Sequence, residues 1–143
     1  MKVRELMATK GKDVVSLEAD STVEDAIRSM NSRKISALIV TVQGKTLGIF
    51  TERDVVRSYI ATNGKSFKEV ELKDMTTLNP IVAEQDDDIA DIMSIMVEKN
   101  IRHLPVVEKG KVMGMLSIRD IIQSQVSRLT AEIHYLKDYI SSY

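Results

Sequence analysis

The stretch from Leu47 to Val56, LGIFTERDVV, decides the organisation of this 143-residue chain because it recurs as MGMLSIRDII from Met113 to Ile122. The offset between the copies is 114 − 48 = 66 residues, and it holds without a gap back to residues 15 and 81. Glycines, aspartates and apolar positions stay in register over that distance. The sequence therefore predicts two copies of one structural unit.

Both copies show the same order of periodicities. A short extended segment precedes apolar residues at helical spacing, and a β-branched hairpin around a glycine turn precedes a last helix. These four features begin near residues 14, 23, 35 and 51 in one copy and near 81, 89, 101 and 117 in the other. The fold class is therefore α/β, more strictly α+β, with each repeat ordered strand, helix, strand, strand, helix.

A cluster of turn-forming residues, TNGKS at 62–66, separates the copies. The apolar spacing of the last helix continues well beyond the second copy. The expected division is a first repeat over residues 1–62, a linker over 63–70, a second repeat over 71–126 and a C-terminal amphipathic helix over 127–143.

Composition narrows the classes of function. The net charge of -1 gives no overall field that attracts nucleic acid or an anionic membrane. The chain has no cysteine, which excludes disulfides, thiolate metal sites and cysteine nucleophiles. The charged N-terminus lacks the apolar stretch of a signal peptide, and no later run reaches the length of a membrane span. A cytoplasmic protein is expected.

The repeat resembles the stand-alone CBS (cystathionine-β-synthase) domain pair of bacterial and archaeal proteins, also called a Bateman module, from residue 3 to about residue 126. The motif Gly-h-x-Thr/Ser-x-x-Asp, with h apolar, appears at residues 48–54 and again at 114–120. A second feature of the family is a proline that follows an apolar residue in the middle strand, here Leu104 and Pro105. The first copy departs from this pattern and has Ile39 at the proline position. The resemblance implies two β-α-β-β-α repeats packed as a pseudo-twofold pair.

The motif supplies what a phosphorylated nucleoside needs. Thr51 or Ser117 lies at a helix N-cap, where unpaired N–H groups and the helix dipole favour a phosphate. Three residues on, Asp54 or Asp120 can accept hydrogen bonds from ribose hydroxyls. A capping box explains the same residue pairs without any ligand, and for one isolated motif it is the simpler explanation. The presence of two matched motifs favours binding.

In the resembled family, the two motifs flank one cleft and each aspartate works with strands of the other copy. Carried over residue by residue, the first site comprises Ile49, Thr51, Arg53 and Asp54 with Thr76, Ile81, Arg102 and His103. The second site comprises Met115, Ser117, Arg119 and Asp120 with Val15, Ser36 and Ala37.

These two predicted sites differ in charge. Arg102 and His103 bring a permanent charge and a titratable donor to the first site, which is therefore expected to prefer phosphate. Ser36 and Ala37 bring a hydroxyl and a methyl group to the second. That site is expected to suit an uncharged or cationic tail, such as the sulfonium of S-adenosylmethionine.

A stripe of apolar residues follows the second motif with heptad spacing: Ile122, Val126, Leu129, Ile133, Leu136 and Ile140. Its first two members are expected to pack on the chain's own domain. From Leu129 onward the helix extends beyond the end of the second repeat. Pairing with another subunit is favoured there, because so long an exposed apolar stripe is unfavourable in water. A homodimer is predicted.

The function expected from these features is that of a non-catalytic sensor. An adenosine ligand (AMP, ADP, ATP, S-adenosylmethionine or NAD(H)) bridges the repeats, and an unidentified effector protein reads the change in their orientation. No catalytic cofactor or metal is expected. An enzyme lacks support because no nucleophile is paired with a base and no glycine-rich phosphate loop with lysine is present. The alternative is an oligomerisation or scaffold module that acts through its C-terminal helix without a ligand.

Overall fold

The structure, a computed structural model, describes residues 1–11 and 13–142; the last residue of the predicted C-terminal helix, Tyr143, lies outside this part. The helices are α1 (Val3–Lys10), α2 (Val23–Arg33), α3 (Glu52–Ala61), α4 (Leu72–Met75), α5 (Ile89–Lys99) and α6 (Ile118–Ser141). The strands are β1 (Ser16–Glu18), β2 (Ala37–Val42), β3 (Lys45–Thr51), β4 (Thr77–Leu78), β5 (Ala83–Glu84), β6 (His103–Glu108) and β7 (Lys111–Ser117).

The strands form two small mixed sheets, one in each half of the chain. The first has the order β1-β2-β3-β4 and the second the order β5-β6-β7. In each sheet the short first strand runs parallel to the middle strand, and the hairpin that follows is antiparallel. The predicted α+β fold class is confirmed. The strand β4, between the repeats, was not expected from the sequence.

The two hairpins are superimposable in register. The first pairs Ala37 with Thr51, and the second pairs His103 with Ser117, positions that the 66-residue offset relates. In the first turn, Gln43 and Gly44 have φ angles of 52° and 79°, and the second turn repeats these positive values. Such turns match the right-handed twist of the flanking strands, so the turn glycines hold the hairpin register.

Helices α2 and α5 bury the faces that their periodicity predicts. Helix α2 begins after Thr22, whose hydroxyl accepts the N–H of Asp25 at 3.1 Å. Its buried residues are Val23, Ala26 and Met30, and the matching residues of α5 are Ile89, Ile92 and Met96. Each helix therefore covers one face of its own sheet.

The hydrophobic core of each half contains residues from a chain segment that belongs to the other half. Val3, Leu6 and Met7 of α1 lie in the hydrophobic core of the second half, whereas Val70 and Leu72 lie in that of the first half. Backbone hydrogen bonds support the exchange: the Val3 N–H donates to Asp87 at 2.9 Å, and that of Leu72 donates to Ser21 at 2.8 Å. The exchange is reciprocal, as a pseudo-twofold pair requires, and neither core is complete without the other repeat's leading segment.

The C-terminal helix α6 leaves the domain after its first turns. Ile121 is fully buried, but Ile122 and Val126 are 52% and 55% exposed, so the expectation that these two cover their own domain is wrong. Their side chains lie on the same outward stripe as Leu129 and Ile133. None of the helices that the structure describes is long and apolar enough to cross a membrane.

Candidate ligand-binding site

Two cavities lie between the repeats, each at the start of one motif helix. The cavity at the N-terminus of α3 has a volume of about 920 Å³, and the cavity at the N-terminus of α6 has a volume of about 870 Å³. Both are lined by residues from both halves of the chain. These volumes fall in the range that binds small molecules and cofactors.

The first cavity gathers most of the residues expected for the first site. Its lining includes Ile49, Thr51, Arg53, Asp54, Ile81, Arg102 and His103. The exception is Thr76, which is buried behind the wall and donates its hydroxyl to the carbonyl of Leu72 at 2.7 Å. Thr77 takes its place because β4 pairs with β3 and turns alternate side chains to opposite faces.

Asp54 is already fully engaged by protein donors. Its Oδ2 accepts the backbone N–H of Thr51 at 2.9 Å and the hydroxyl of Thr51 at 3.3 Å. Its Oδ1 accepts Arg57 at 2.5 Å and the Thr77 hydroxyl at 3.0 Å. Four donors use the four acceptor positions of a carboxylate, so a ribose must displace at least one of them.

The second cavity contains every residue expected for the second site: Val15, Ser36, Ala37, Met115, Ser117, Arg119 and Asp120. It also contains a residue that was not expected. Lys10, at the end of α1, points into this cavity, where its Nζ lies 2.6 Å from Asp120 Oδ2 and donates to the carbonyl of Met115.

Asp120 differs from Asp54 in how its carboxylate is used. Its Oδ2 accepts the N–H and the hydroxyl of Ser117 at 3.0 and 2.7 Å, in addition to the Lys10 ammonium. Its Oδ1 accepts no hydrogen bond from the described residues, so this oxygen of a cavity-lining residue is left for a ligand. Burial acts to raise the pKa of Asp120, but the bonds from Lys10 and Ser117 outweigh burial and lower it.

A hydrogen bond between the repeats separates the two cavities. Ser36 and His103 lie 2.8 Å apart, from the hydroxyl oxygen to Nε2, and both residues line both cavities. Burial lowers the pKa of His103, and the positive charge of Lys10 lowers it further. The imidazole is therefore neutral at pH 7 and joins the hydroxyl as a neutral donor or acceptor.

The walls of the cavities differ in charge. Four arginines (53, 57, 102 and 119) line the first cavity against two acidic residues, Glu52 and Asp54. In the second cavity, Lys10, Lys34 and Arg119 face an equal number of acidic residues, Asp13, Glu52 and Asp120. The first cavity therefore offers the more positive surface. Within residues 1–11 and 13–142, no three histidine or acidic side chains are grouped to hold a metal ion.

Sequence reasoning missed three side chains that hold the motif aspartates. Arg57 follows Asp54 by three residues on a helix, a spacing that places both on one face and that could have been read from the sequence. Thr77 depends on the unexpected strand β4. Lys10 lies 110 residues from Asp120 (120 − 10 = 110), and no local signal connects them.

Comparison with protein families gives two matches to the CBS domain, over residues 3–61 and 68–127. The CBS domain-containing protein CBSX3, mitochondrial, from Arabidopsis thaliana is 32% identical over 96% of this chain and 71% of its own length. This chain spans 58% of another curated relative and 21% of a third, so the same unit occurs within longer proteins.

Solved structures with the same fold include a CBS-domain containing protein, ATU1752, from Agrobacterium tumefaciens. It is 32% identical, with a TM-score of 0.82 over 87% of this chain and 99% of that chain. The CBS domain pair of protein MJ0100, solved in complex with 5'-methylthioadenosine and S-adenosyl-L-methionine, is 22% identical, with a TM-score of 0.76 over 90% of this chain and 98% of that chain.

Proposed function

Because this chain belongs to the CBS-domain family, whose members are generally non-catalytic regulatory modules, we propose that it is a sensor of an adenosine-containing ligand. The ligand binds in one or both cavities between the repeats and changes their relative orientation. The observation that carries the proposal is that each cavity combines a motif aspartate, a helix N-terminus and side chains from the opposite repeat.

A ligand in the first cavity contacts both repeats at once. Asp54 and Thr51 come from the first repeat, and Arg102 and His103 come from the second. Binding energy there depends on how the repeats are placed, which is the physical requirement for a ligand that selects one arrangement over another. An effector protein that recognises one arrangement then responds to ligand concentration.

The charge of the first cavity favours an adenosine 5'-phosphate. Arg102 and Arg119 are exposed on its wall and form no ion pair within the described residues. At the start of α3 the N–H groups of Thr51 and Glu52 already donate to Asp54 and to the Ser36 carbonyl, so the attraction for phosphate rests mainly on the arginines. AMP, ADP, ATP and NAD(H) all carry the phosphate that this wall selects, and S-adenosylmethionine, one of the ligands of MJ0100, lacks it.

A scaffold that acts through α6 without a ligand is the second candidate. It is supported by the outward apolar stripe, whose members Leu129, Ile133 and Leu136 are each more than half exposed. The two functions are compatible, since a sensor that dimerises can transmit its change through the same helix. We propose the homodimer as part of the function and place the protein in the cytosol, although the Arabidopsis relative is named as mitochondrial.

The direct test is to purify the full chain without added nucleotide, denature it and identify the released small molecules by mass spectrometry. Adenosine nucleotides are expected at up to two per chain. Thermal shifts with millimolar AMP, ATP, NADH and S-adenosylmethionine follow, with a stabilisation of about 2.7 kcal/mol expected at 100 times the dissociation constant. If none of these ligands shifts the melting temperature, the sensor function is contradicted and the scaffold function remains.

Substitution of the motif aspartates assigns the sites. Asp120→Asn and Asp54→Asn are each expected to lower the number of ligands bound by one in titration calorimetry. Asparagine is preferable to alanine at residue 54 because that carboxylate is 4% exposed and holds four donors, so its truncation also destabilises the fold. Unchanged stoichiometry and affinity in both variants would show that the ligand binds elsewhere.

A further inference from the structure

The position of Lys10 follows from the exchange of leading segments. Leu6 and Met7 are buried in the core of the second half, so the end of α1 is fixed beside the second cavity. Lys10 is the last residue of that helix, and Gly11 breaks it with a φ angle of 97°. The Lys10 ammonium consequently reaches Asp120 and the carbonyl of Met115.

The two motif aspartates have counterions of different origin. Arg57 lies on the same helix as Asp54, three residues away, so the first aspartate has its counterion within its own helix. The position of α6 that matches Arg57 is Gln123 (57 + 66 = 123), which carries no charge. Lys10 replaces that missing cation from another segment, and 29% of its side chain is exposed, so it can leave Asp120 while α6 stays in place.

On the premise that the cavities bind adenosine ligands, we propose that Lys10 determines the specificity of the second cavity by exchanging Asp120 for the anionic 5' group of the ligand. In the empty protein Lys10 neutralises Asp120. When a nucleotide binds, the ribose hydroxyls donate to Asp120, first at its unused Oδ1, and the Lys10 ammonium turns to the 5'-phosphate. The second cavity thereby selects adenosine 5'-phosphates.

This selection opposes the one expected from Ser36 and Ala37 alone. A sulfonium in the second cavity would place a second positive charge near Lys10, where a nucleotide has its 5'-phosphate. The carboxylate of S-adenosylmethionine lies beyond that sulfonium and beside the ligand's own ammonium, so it replaces Asp120 less well than a phosphate does. The charges of the wall balance in number, so its total charge does not decide the matter. The deciding feature is that Lys10 is the cation already hydrogen-bonded to the aspartate that the ribose needs.

Methyl NMR on the full-length protein tests the exchange. Met115 lines the second cavity, and its labelled methyl signal, assigned with Met115→Leu, reports binding there. The probes are AMP, adenosine and S-adenosylmethionine, and the variants are Lys10→Met, the charge-preserving Lys10→Arg and Lys34→Met, which removes another cation of the same wall. In the wild type, AMP is expected to bind about tenfold more tightly than S-adenosylmethionine, the size of one charge-assisted contact.

Lys10→Met is expected to lose about tenfold in AMP affinity while adenosine binds as well as before or better, because no ammonium must leave Asp120. Lys10→Arg and Lys34→Met keep the preference for AMP. An unchanged ratio of AMP to S-adenosylmethionine affinity in Lys10→Met overturns the inference and leaves the proposed function standing. An equal loss for adenosine and AMP also overturns it, since Lys10 then only shapes the cavity. Absence of any Met115 shift with all three probes in the wild type also overturns the inference, and the thermal shifts of the full chain then show whether the proposed function stands through the first cavity.

Discussion

Asp54 and Asp120 occupy the same position in the repeated motif, but their surroundings differ. The capping role considered from the sequence is real at both, because each carboxylate accepts the N–H of its N-cap residue. Capping uses one oxygen of Asp120 and leaves the other without a protein donor. At Asp54 the additional bonds from Arg57 and Thr77 use both oxygens. A shared motif therefore predicts the position of the carboxylate, and its neighbours decide how much of it a ligand can use.

Replacing the two motif glycines, Gly48 and Gly114, by alanine is predicted to lower the stability of the fold by different amounts. A Cβ atom at Gly48 would collide with the backbone carbonyl of Thr77, whereas at Gly114 it would meet the flexible end of Met7. Gly48→Ala is expected to destabilise the fold by about 1 to 3 kcal/mol, because β4 must move away from β3. Gly114→Ala is the matched control, with an expected cost below about 1 kcal/mol. Urea denaturation measures both, and equal losses would contradict the structural difference.

His103 predicts a dependence of stability on pH. Its pKa in the folded protein is below the ordinary value of about 6.5, so the unfolded chain binds more protons as the pH falls through that value. The stability contributed by the neutral imidazole is complete above about pH 6.5 and is lost as the pH falls through the lowered folded pKa. Replacement by glutamine, His103→Gln, keeps a partner for Ser36 but does not titrate.

The predicted loss of stability at low pH is checked by measuring the free energy of unfolding in urea titrations at pH 7.5 and pH 5. The wild type is expected to lose more stability than His103→Gln over that interval. His134→Gln, on the exposed C-terminal helix, controls for the loss of a histidine as such. Identical pH profiles for the wild type and His103→Gln would show that the imidazole does not favour the neutral form in the folded state.

At the scale of elements, the two motif helices begin alike and end differently. Helix α3 stops at Ala61, while α6 continues to Ser141 and projects from the domain. The outward surface of α3 is also apolar, since Val56, Tyr59 and Ile60 are each at least 60% exposed. Exposed apolar side chains therefore lie on both α3 and α6, and burying each large one is worth about 1.5 to 3 kcal/mol before association costs.

The stripe on α6 predicts the effect of a single charge on association. The wild-type chain is expected to be a dimer at micromolar concentration in multi-angle light scattering. Ile133→Glu places a charge in the apolar contact and is expected to shift the protein toward monomer. Thr130→Glu adds the same charge to the same exposed helix outside the stripe and should leave the dimer intact. A monomeric wild type, or a dimer that tolerates Ile133→Glu, would remove the stripe from the interface.

At the scale of the whole molecule, each core is completed by the other repeat's leading segment. Leu72 is fully buried in the first core although it belongs to the leading segment of the second repeat, and Val3 is fully buried in the second core although it belongs to that of the first. The two halves consequently stabilise each other. This interlock also places α1, and with it Lys10, against the second cavity.

The exchange predicts which half-length fragment folds. Residues 13–78 contain the first core with Val70, Leu72 and strand β4, whereas residues 1–62 carry α1 without the core that covers it. Fragment 13–78 is expected to unfold in a cooperative urea transition when followed by circular dichroism. Fragment 1–62 is expected to show no such transition. Loss of Val70 and Leu72 alone removes two large core side chains, each worth about 1.5 to 3 kcal/mol. A fragment 1–62 as stable as 13–78 would contradict the exchange.

The amino-acid sequence by itself determined the two repeats, the α+β class, the hairpin turns and the long terminal helix, because each of these leaves a local pattern in the chain. It also predicted most residues that line the cavities, whose ligand contacts stay a prediction. Only the tertiary structure decided which half each leading segment completes, which of Thr76 and Thr77 faces the first cavity, and that Lys10 pairs with Asp120. Those features depend on contacts between distant segments, and hydrophobic periodicity carries no information about which buried face meets which.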